Sequence, residues 1–506
     1  MSAPGADIKA TPSGGAPEPD AAVVAGRGAL FIGFAKIYFM LSGLVQQVGL
    51  NRVLGSVESG AFGVVNSVIS IVNNTMVQAT VQSVSKFTAE DDRNAGAVQR
   101  AGLRMQAVLG TLVGLVFLAG APLIAAFEKA PAYTPYFRIA AAIPFFYAFY
   151  TVFVGTANGL RRFHVQASFD IAFSTIKTIL LLGLGVLWAV KGAFFGFATA
   201  ALAILFVAAR KMRLPAEGPR FPASRLVPYM SGVAVYALLL NLALLYDQPL
   251  LQHFAGVVDP AQAPIVAGHY FALRTLALLP YQALIVITFV IFPLVSRSTF
   301  AEDRAATRAY VTQTMRYALI LAAAMGLALA ARPAALLAIA YKPEYGVGAQ
   351  ALPILVAGEC CLALLGVACA ILNAAGRTRA TMTLMAVTVA VGATAAAILV
   401  PRTSPGAPML VAAATATSLG MASGLLASLV YLSVRIGGGL PAATVMRVAA
   451  SLTAAVLVGR FLPAHGKVLG LATIAAVVVV YAGGLVALGE FGPEDRAKVR
   501  RILRRR

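Results

Sequence analysis

Apolar runs of about 20 residues, separated by short polar or Gly/Pro-containing connections, recur along the chain. A helix of that length crosses a hydrocarbon layer of about 30 Å. Fourteen such runs are predicted, near residues 28–50, 60–84, 106–128, 136–158, 167–189, 192–210, 226–251, 266–294, 309–330, 350–374, 380–400, 408–433, 443–462 and 468–487. Spans of a membrane β-barrel alternate apolar and polar positions over about ten residues, whereas these runs are apolar on every side. The expected fold is all-α, a polytopic membrane protein of about 14 transmembrane helices.

One polar phrase is written twice. Val84-Ser-Lys-Phe-Thr-Ala-Glu-Asp-Asp-Arg93 follows the second run, and Val295-Ser-Arg-Ser-Thr-Phe-Ala-Glu-Asp-Arg304 follows the eighth, 211 residues later. Other pairs fall in the same order: Ser59-Gly60 with Ala267-Gly268 at 208, and Pro131-Ala-Tyr133 with Pro343-Glu-Tyr345 at 212. Asn158-Gly-Leu-Arg-Arg162 pairs with Asn373-Ala-Ala-Gly-Arg377 at 215. Slowly drifting offsets mark a duplicated six-helix unit. An even number of spans gives both copies one orientation, so they form two lobes related by a parallel repeat about the membrane normal. The organisation expected is a disordered cytoplasmic tail (1–26), an N-terminal lobe (27–212), a C-terminal lobe (213–435), two extra helices (436–488) and a basic cytoplasmic tail (489–506). The doubled phrase is then the loop after the second helix of each lobe, a solvating segment or an inter-lobe contact.

Composition sharpens this picture. The chain is 59% hydrophobic and 12% charged, with a mean hydropathy of +0.83 and a net charge of +21. The charge does not mark a nucleic-acid surface, because it is sided. Connections after even-numbered spans, together with the C-terminal tail, hold 25 Lys and Arg; those on the opposite side hold 8. The positive-inside rule places both termini in the cytoplasm of an inner-membrane protein, with the tail after Arg496 lying on anionic headgroups. Cys360, Cys361 and Cys369 share one span without spaced ligands, so they read as small buried side chains. No metal or other cofactor is expected.

Charged and amide side chains inside spans are the informative ones, since each is costly to expose to lipid. Arg138 and Arg316 lie near span ends and can snorkel. Lys36 shares a helical face with Met40, Gly43 and Gln47. The second span carries Asn66, Ser70 and Asn73 on one stripe and Asn74, Gln78 and Gln82 on the next. Arg274 matches Asn66 across the repeat, in a span that Pro280 and Pro293 interrupt and are expected to bend. Lys36, Gln47, Asn66, Asn73, Asn74 and Arg274 are therefore the candidate substrate-binding residues. Asp170, Ser174 and Lys177 form a strip that neutralises its own charges. Asp247 and Glu359, without a local basic partner, are the candidates for ion coupling. Phe145, Phe146, Tyr147, Phe149, Tyr150 and Phe153 make the fourth span an aromatic wall.

With these residues in view, the chain resembles the multidrug, oligosaccharidyl-lipid and polysaccharide exporter superfamily, and within it the polysaccharide (Wzx-type) branch. The resemblance is carried by Asn51-Arg-Val-Leu-Gly-Ser-Val-Glu-Ser-Gly60, by Tyr246-Asp-Gln-Pro-Leu-Leu-Gln-His-Phe254 and Ala267-Gly-His-Tyr-Phe-Ala272, by Pro343-Glu-Tyr345 and by Asn373-Ala-Ala-Gly-Arg-Thr-Arg379. It implies a flippase that moves undecaprenyl-pyrophosphate-linked oligosaccharide from the inner to the outer leaflet by alternating access. The implied partners are the lipid-linked glycan, membrane lipids, a proton or sodium ion, and a polysaccharide polymerase with its export machinery. A lipid II flippase and a cation-coupled multidrug exporter are the alternatives within transport. A membrane glycan polymerase or ligase is the alternative in another class, but the longest outer connection is about 19 residues and carries no carboxylate pair. The expectation is therefore a non-enzyme.

Overall fold

The apolar runs form helices throughout the computed structural model, which describes residues 19–215, 220–285, 295, 299, 303–462 and 466–492. The first 18 residues, most of the second copy of the doubled phrase, Pro293 and the basic tail after residue 492 lie outside the described residues. The N-terminal half contains α1 (Pro19–Leu54), α2 (Ser56–Glu90), α3 (Ala95–Phe127), α4 (Thr134–Ala140), α5 (Ala142–Gly159) and α6 (Phe163–Met212). The next group is α7 (Ala223–Leu245), α8 (Asp247–Val258), α9 (Ala263–Ala277) and α10, described over residues 279–285. Then come α11 (Arg304–Ala330), α12 (Pro333–Ala340), α13 (Ala351–Ala374), α14 (Thr378–Leu399), α15 (Ala407–Arg435), α16 (Ala442–Phe461) and α17 (Lys467–Ala487).

Among the described residues, 11 helical segments are long and apolar enough to cross a membrane. One of them, α6, is two spans of the sequence reading. Trp188 and Ala189 leave helical geometry, Ala189 at φ 51°, and the chain doubles back. The arms touch where side chains are missing: a Cβ on Gly192 would lie 1.9 Å from the Leu184 carbonyl oxygen, and one on Gly196 2.3 Å from that of Leu180. α1 and the broken α9–α10 pair supply the other two expected spans. The seventh span is longer than the sequence suggested, continuing as α8 to Val258 after a break at Tyr246.

Two of the helix breaks lie beside proline. Pro280 lacks an N–H and crowds the carbonyl four residues back, and α9 stops at Ala277. Pro249 has the same effect one turn into α8, beside the break at Tyr246.

The duplication is visible in backbone geometry. After α5, the N–H groups of Arg161 and Arg162 donate to the oxygens of Asn158 and Ala157 at 3.0 and 2.8 Å; after α13, Gly376 and Arg377 donate to Asn373 and Leu372 at the same two distances. Both turns carry one left-handed residue, Arg161 at φ 57° and Gly376 at φ 72°, the arrangement that satisfies the last carbonyls of a helix. One apolar core joins α1 to α6, and two further cores are built almost wholly from α7 to α15. Between the lobes, α2 packs against both α7 and α9.

α16 and α17 dock on α11 and α12 through a small core of their own. Glu490, just beyond α17, takes bonds from Arg316 at 2.6 Å, Thr444 at 2.9 Å and Arg447 at 3.1 Å. Burial resists its ionisation, but those bonds outweigh it and hold the carboxyl below its ordinary range. Val108, Leu112, Leu115, Val116 and Leu123 leave one side of α3 apolar and exposed, as a lipid-facing surface requires.

The end of α2 with Lys86, the connection after it with Arg93, the connection after α5 with Arg161 and Arg162, the last turn of α6 with Lys211 and the residue before α14, Arg377, are put on one face of the bundle by helix order. This is the basic face. Here the first copy of the doubled phrase joins the lobes: Glu90 of α2 pairs with Arg225 of α7 at 2.8 Å, and the Lys86 ammonium lies 4.1 Å from the Tyr229 ring centroid.

Candidate functional site

In the second lobe, the bends bring three charged side chains together. Arg274 on α9 donates from Nε to Asp247 Oδ2 at 2.7 Å, and Nη2 donates to the Leu244 oxygen beside the break at Tyr246. Glu359 of α13 lies 4.0 Å from the same Nε. The Tyr270 hydroxyl donates to Asp247 at 2.9 Å and accepts from Thr417 at 2.9 Å. All three charged residues are buried, at 7% (Arg274), 5% (Asp247) and 0% (Glu359) exposure. Asp247 Oδ1 and both oxygens of Glu359 have no hydrogen-bond partner among the described residues. One guanidinium thus faces two carboxyl groups in a dry setting, where two full negative charges and one positive leave a net buried charge unless the cluster keeps a proton.

Asp247 and Glu359, which have no basic neighbour along their own helices, share Arg274 of α9, and Arg274 is buried as the counter-charge of that cluster.

The first lobe has its own pair. Lys36 of α1 donates to Asp170 of α6 at 2.8 Å, while Tyr38 and Gln46 bond Thr175 and Thr178 at 2.7 and 2.8 Å. The strip on α6 is therefore neutralised by α1 and not from within: Lys177 instead rests over the Phe197 ring at 3.8 Å. The Lys36 side chain keeps 42% exposure. Gln47 accepts from Thr275 of α9 at 3.0 Å, a bond between lobes. Asn66 and Asn74 are half-buried and Asn73 is buried. The aromatic wall is packed: Tyr147 and Tyr150 meet Phe173, and Tyr150 also meets Phe169.

A cavity of about 750 Å³ lies between α2, α7, α10, α13 and α14. Gln78, Gln82, Tyr229, Tyr236, Tyr281 and Asn373 supply its polar surface, and Leu240, Ile285 and Val367 part of its apolar wall. Every lining residue of α2 and α13 belongs to the second half of its helix, and those of α14 to the first, so the cavity sits toward the basic face. It is held open by fixed donors and acceptors: Asn373 donates to the Tyr236 hydroxyl at 3.1 Å and accepts from Thr381 at 3.0 Å. None of the eight candidate residues from the sequence lines it. Gln78 and Gln82 do, one and two turns beyond Asn74 on the stripe that the sequence had singled out. The α7 tyrosines were missed because an aromatic residue in a span gives no sign of which neighbour it faces.

No protein-family profile and no curated protein sequence matches the chain. Solved structures do. A lipid II flippase MurJ in an inward closed conformation superposes with a TM-score of 0.71 at 12% identity, over 90% of this chain and 98% of that one. An inward-facing multidrug resistance MATE family transporter of the MOP superfamily gives 0.63 at 13% identity, over 80% and 98%. A MOP superfamily transporter from Pyrococcus furiosus, described as having a binding pocket of reverse polarity, gives 0.59 at 15% identity over 82% and 95%. At these identities the likeness is one of fold: the chain has the all-helical fold of these transporters.

Proposed function

We propose that the protein is a flippase for a lipid-linked oligosaccharide, moving its headgroup through the bundle while the polyprenyl tail stays in lipid. The observation that carries this reading is the cavity toward the basic face, where amides and tyrosine hydroxyls converge on a chamber with apolar walls. Sugar hydroxyls need neutral donors and acceptors at fixed positions, and tyrosine faces suit the apolar side of a pyranose ring. The positive-inside bias supports a cytoplasmic basic face, so cargo would enter from the inner leaflet of the cytoplasmic membrane. Half-exposed Lys36 is the best placed cation for the pyrophosphate.

The Arg274, Asp247 and Glu359 cluster is the proposed coupling element. It lies next to the cavity wall on α13, and a proton taken up or released there changes how strongly α8, α9 and α13 hold together. Sodium remains the rival ion. The glycan-exporter resemblance favours the polysaccharide branch, with a polymerase and export machinery as downstream partners. Lipid II is the second reading, favoured by the broader superposition on the lipid II flippase than on the multidrug transporter.

The test is headgroup transfer in cells or proteoliposomes with Gln78→Leu and Gln82→Leu. Loss of transfer with normal folding supports the cavity; full transfer in the double variant contradicts it.

A further inference from the structure

The face opposite the basic one is closed by contacts between the lobes that repeat the internal symmetry of the chain. At the centre, α2 crosses α9 at Gly60 and Gly268, which are repeat mates 208 residues apart. A Cβ on Gly60 would lie 2.0 Å from the Pro264 oxygen, and one on Gly268 1.7 Å from the Ser56 oxygen. Ser56 and Pro264 are themselves 208 apart, so the pseudo-two-fold axis passes through this crossing. Any side chain here drives backbone against backbone.

On either side of the axis stands one latch. Arg52, at the end of α1, donates from Nε to the Ala340 oxygen at 2.6 Å and from Nη2 to the Ile339 oxygen at 2.5 Å. These are the last carbonyls of α12. Across the axis, His253 Nδ1 donates to the Phe127 oxygen at 2.5 Å, and Gln252 donates to the Glu128 oxygen at 3.4 Å. These are the last carbonyl of α3 and that of its C-cap residue. Ile339 and Ala340 lie 212 residues after Phe127 and Glu128, and Gln252 and His253 lie 201 after Asn51 and Arg52. The tyrosines of the matched Pro-x-Tyr phrases complete the set: Tyr345 donates to the Asn51 oxygen at 3.3 Å, and Tyr133 to Gln252 at 3.4 Å. In each latch, polar side chains from the first span of one lobe cap a helix C-terminus of the other, Arg52 alone in one and Gln252 with His253 in the other, where freed carbonyls and the helix dipole favour such donors.

We propose that these residues form one two-fold lock: the on-axis glycine crossing and the two latches hold this face shut while the cavity faces the other side, and both latches must release together for the lobes to part here. Both latches act on carbonyl acceptors, and beside the glycine crossing the exposed Glu344 carboxylate accepts from the Ser56 N–H at 3.1 Å. The lock relies on the transport reading only in requiring that the lobes move.

The experiment is a pulsed electron resonance distance measurement in nanodiscs, between spin labels on Ala132 and Gln262, with the three native cysteines replaced. Unmodified at the lock, the protein should give one short distance. Arg52→Gln and His253→Ala should each raise the ratio of long to short distances about tenfold, as expected for losing a hydrogen bond to a charged or polar donor, and their combination by the product. Gly60→Val should raise it further, and Arg52→Lys should restore part of the short population. A cysteine at Gln82, labelled from the basic face, should react more slowly as the long distance grows; a merely loosened protein would react faster. Unchanged distances in monodisperse variants, or faster Gln82 labelling, would overturn the lock. Loss of cargo transfer with distances that still shift would count against the flippase reading and leave the lock standing.

Discussion

Replacing Arg274 by glutamine removes the one positive charge from a buried cluster of three. At an effective dielectric constant of about 20, unit charges attract by about 6 kcal/mol at the 2.7 Å of the Asp247 contact and by about 4 kcal/mol at the 4.0 Å of the Glu359 contact. Desolvation opposes these gains, and removing one partner of a buried pair typically leaves a net loss of roughly 3–5 kcal/mol. The Leu244 oxygen also loses its donor. The temperature at which half of the protein stays monodisperse after heating should fall by roughly 5–10 °C. Neutralising the acids as well, in Arg274→Gln with Asp247→Asn and Glu359→Gln, should recover most of that fall, because no buried charge is then left unpaired. If Arg274→Gln melts with the unsubstituted protein, or the triple variant melts no higher than the single one, the charge argument is wrong.

Other outcomes follow from the same contacts. Lys36→Ala should lower transfer of a pyrophosphate-linked cargo while the protein stays folded; thermal melting and the transfer assay separate the two effects. Glu128, just beyond α3, is buried without a partner for Oε2, and burial pushes its carboxyl up to about 8. Its folded value lies above its unfolded one, so the stability linked to its proton is complete below about pH 4.5 and is lost as pH rises through 8. Glu128→Gln should flatten that part of a melting-temperature profile. Glu490 has the opposite sign: its carboxyl is held low, so the docking of α16 and α17 should weaken as pH falls below the ordinary glutamate range. Glu490→Gln should reproduce that weakening at neutral pH, read as faster proteolysis after α15.

Much of the architecture was legible because membrane helices need length and apolarity above all. The repeat was legible because turns impose chemistry locally: Asn158 to Arg162 and Asn373 to Arg377 are short phrases whose hydrogen bonds close within five residues. Pairings across the bundle were not. Lys36 and Asp170 are 134 positions apart, and no local pattern names a partner at that distance. Arg274 and Asp247 are only 27 apart, but they meet because the chain breaks at Tyr246 and turns back before α9, a fold-back that periodicity does not reveal. The lock was half visible. Its glycines and tyrosines stood out as repeats, whereas the acceptors are backbone carbonyls, which every residue carries.

The most direct measurement is transfer of a lipid-linked oligosaccharide across proteoliposomes containing the purified protein, under imposed proton or sodium gradients, read by access of the glycan to an external lectin or glycosidase. The account predicts gradient-dependent transfer that Gln78→Leu with Gln82→Leu abolishes. Transfer no faster than in protein-free liposomes under every gradient, or transfer untouched by closing the cavity, would contradict it.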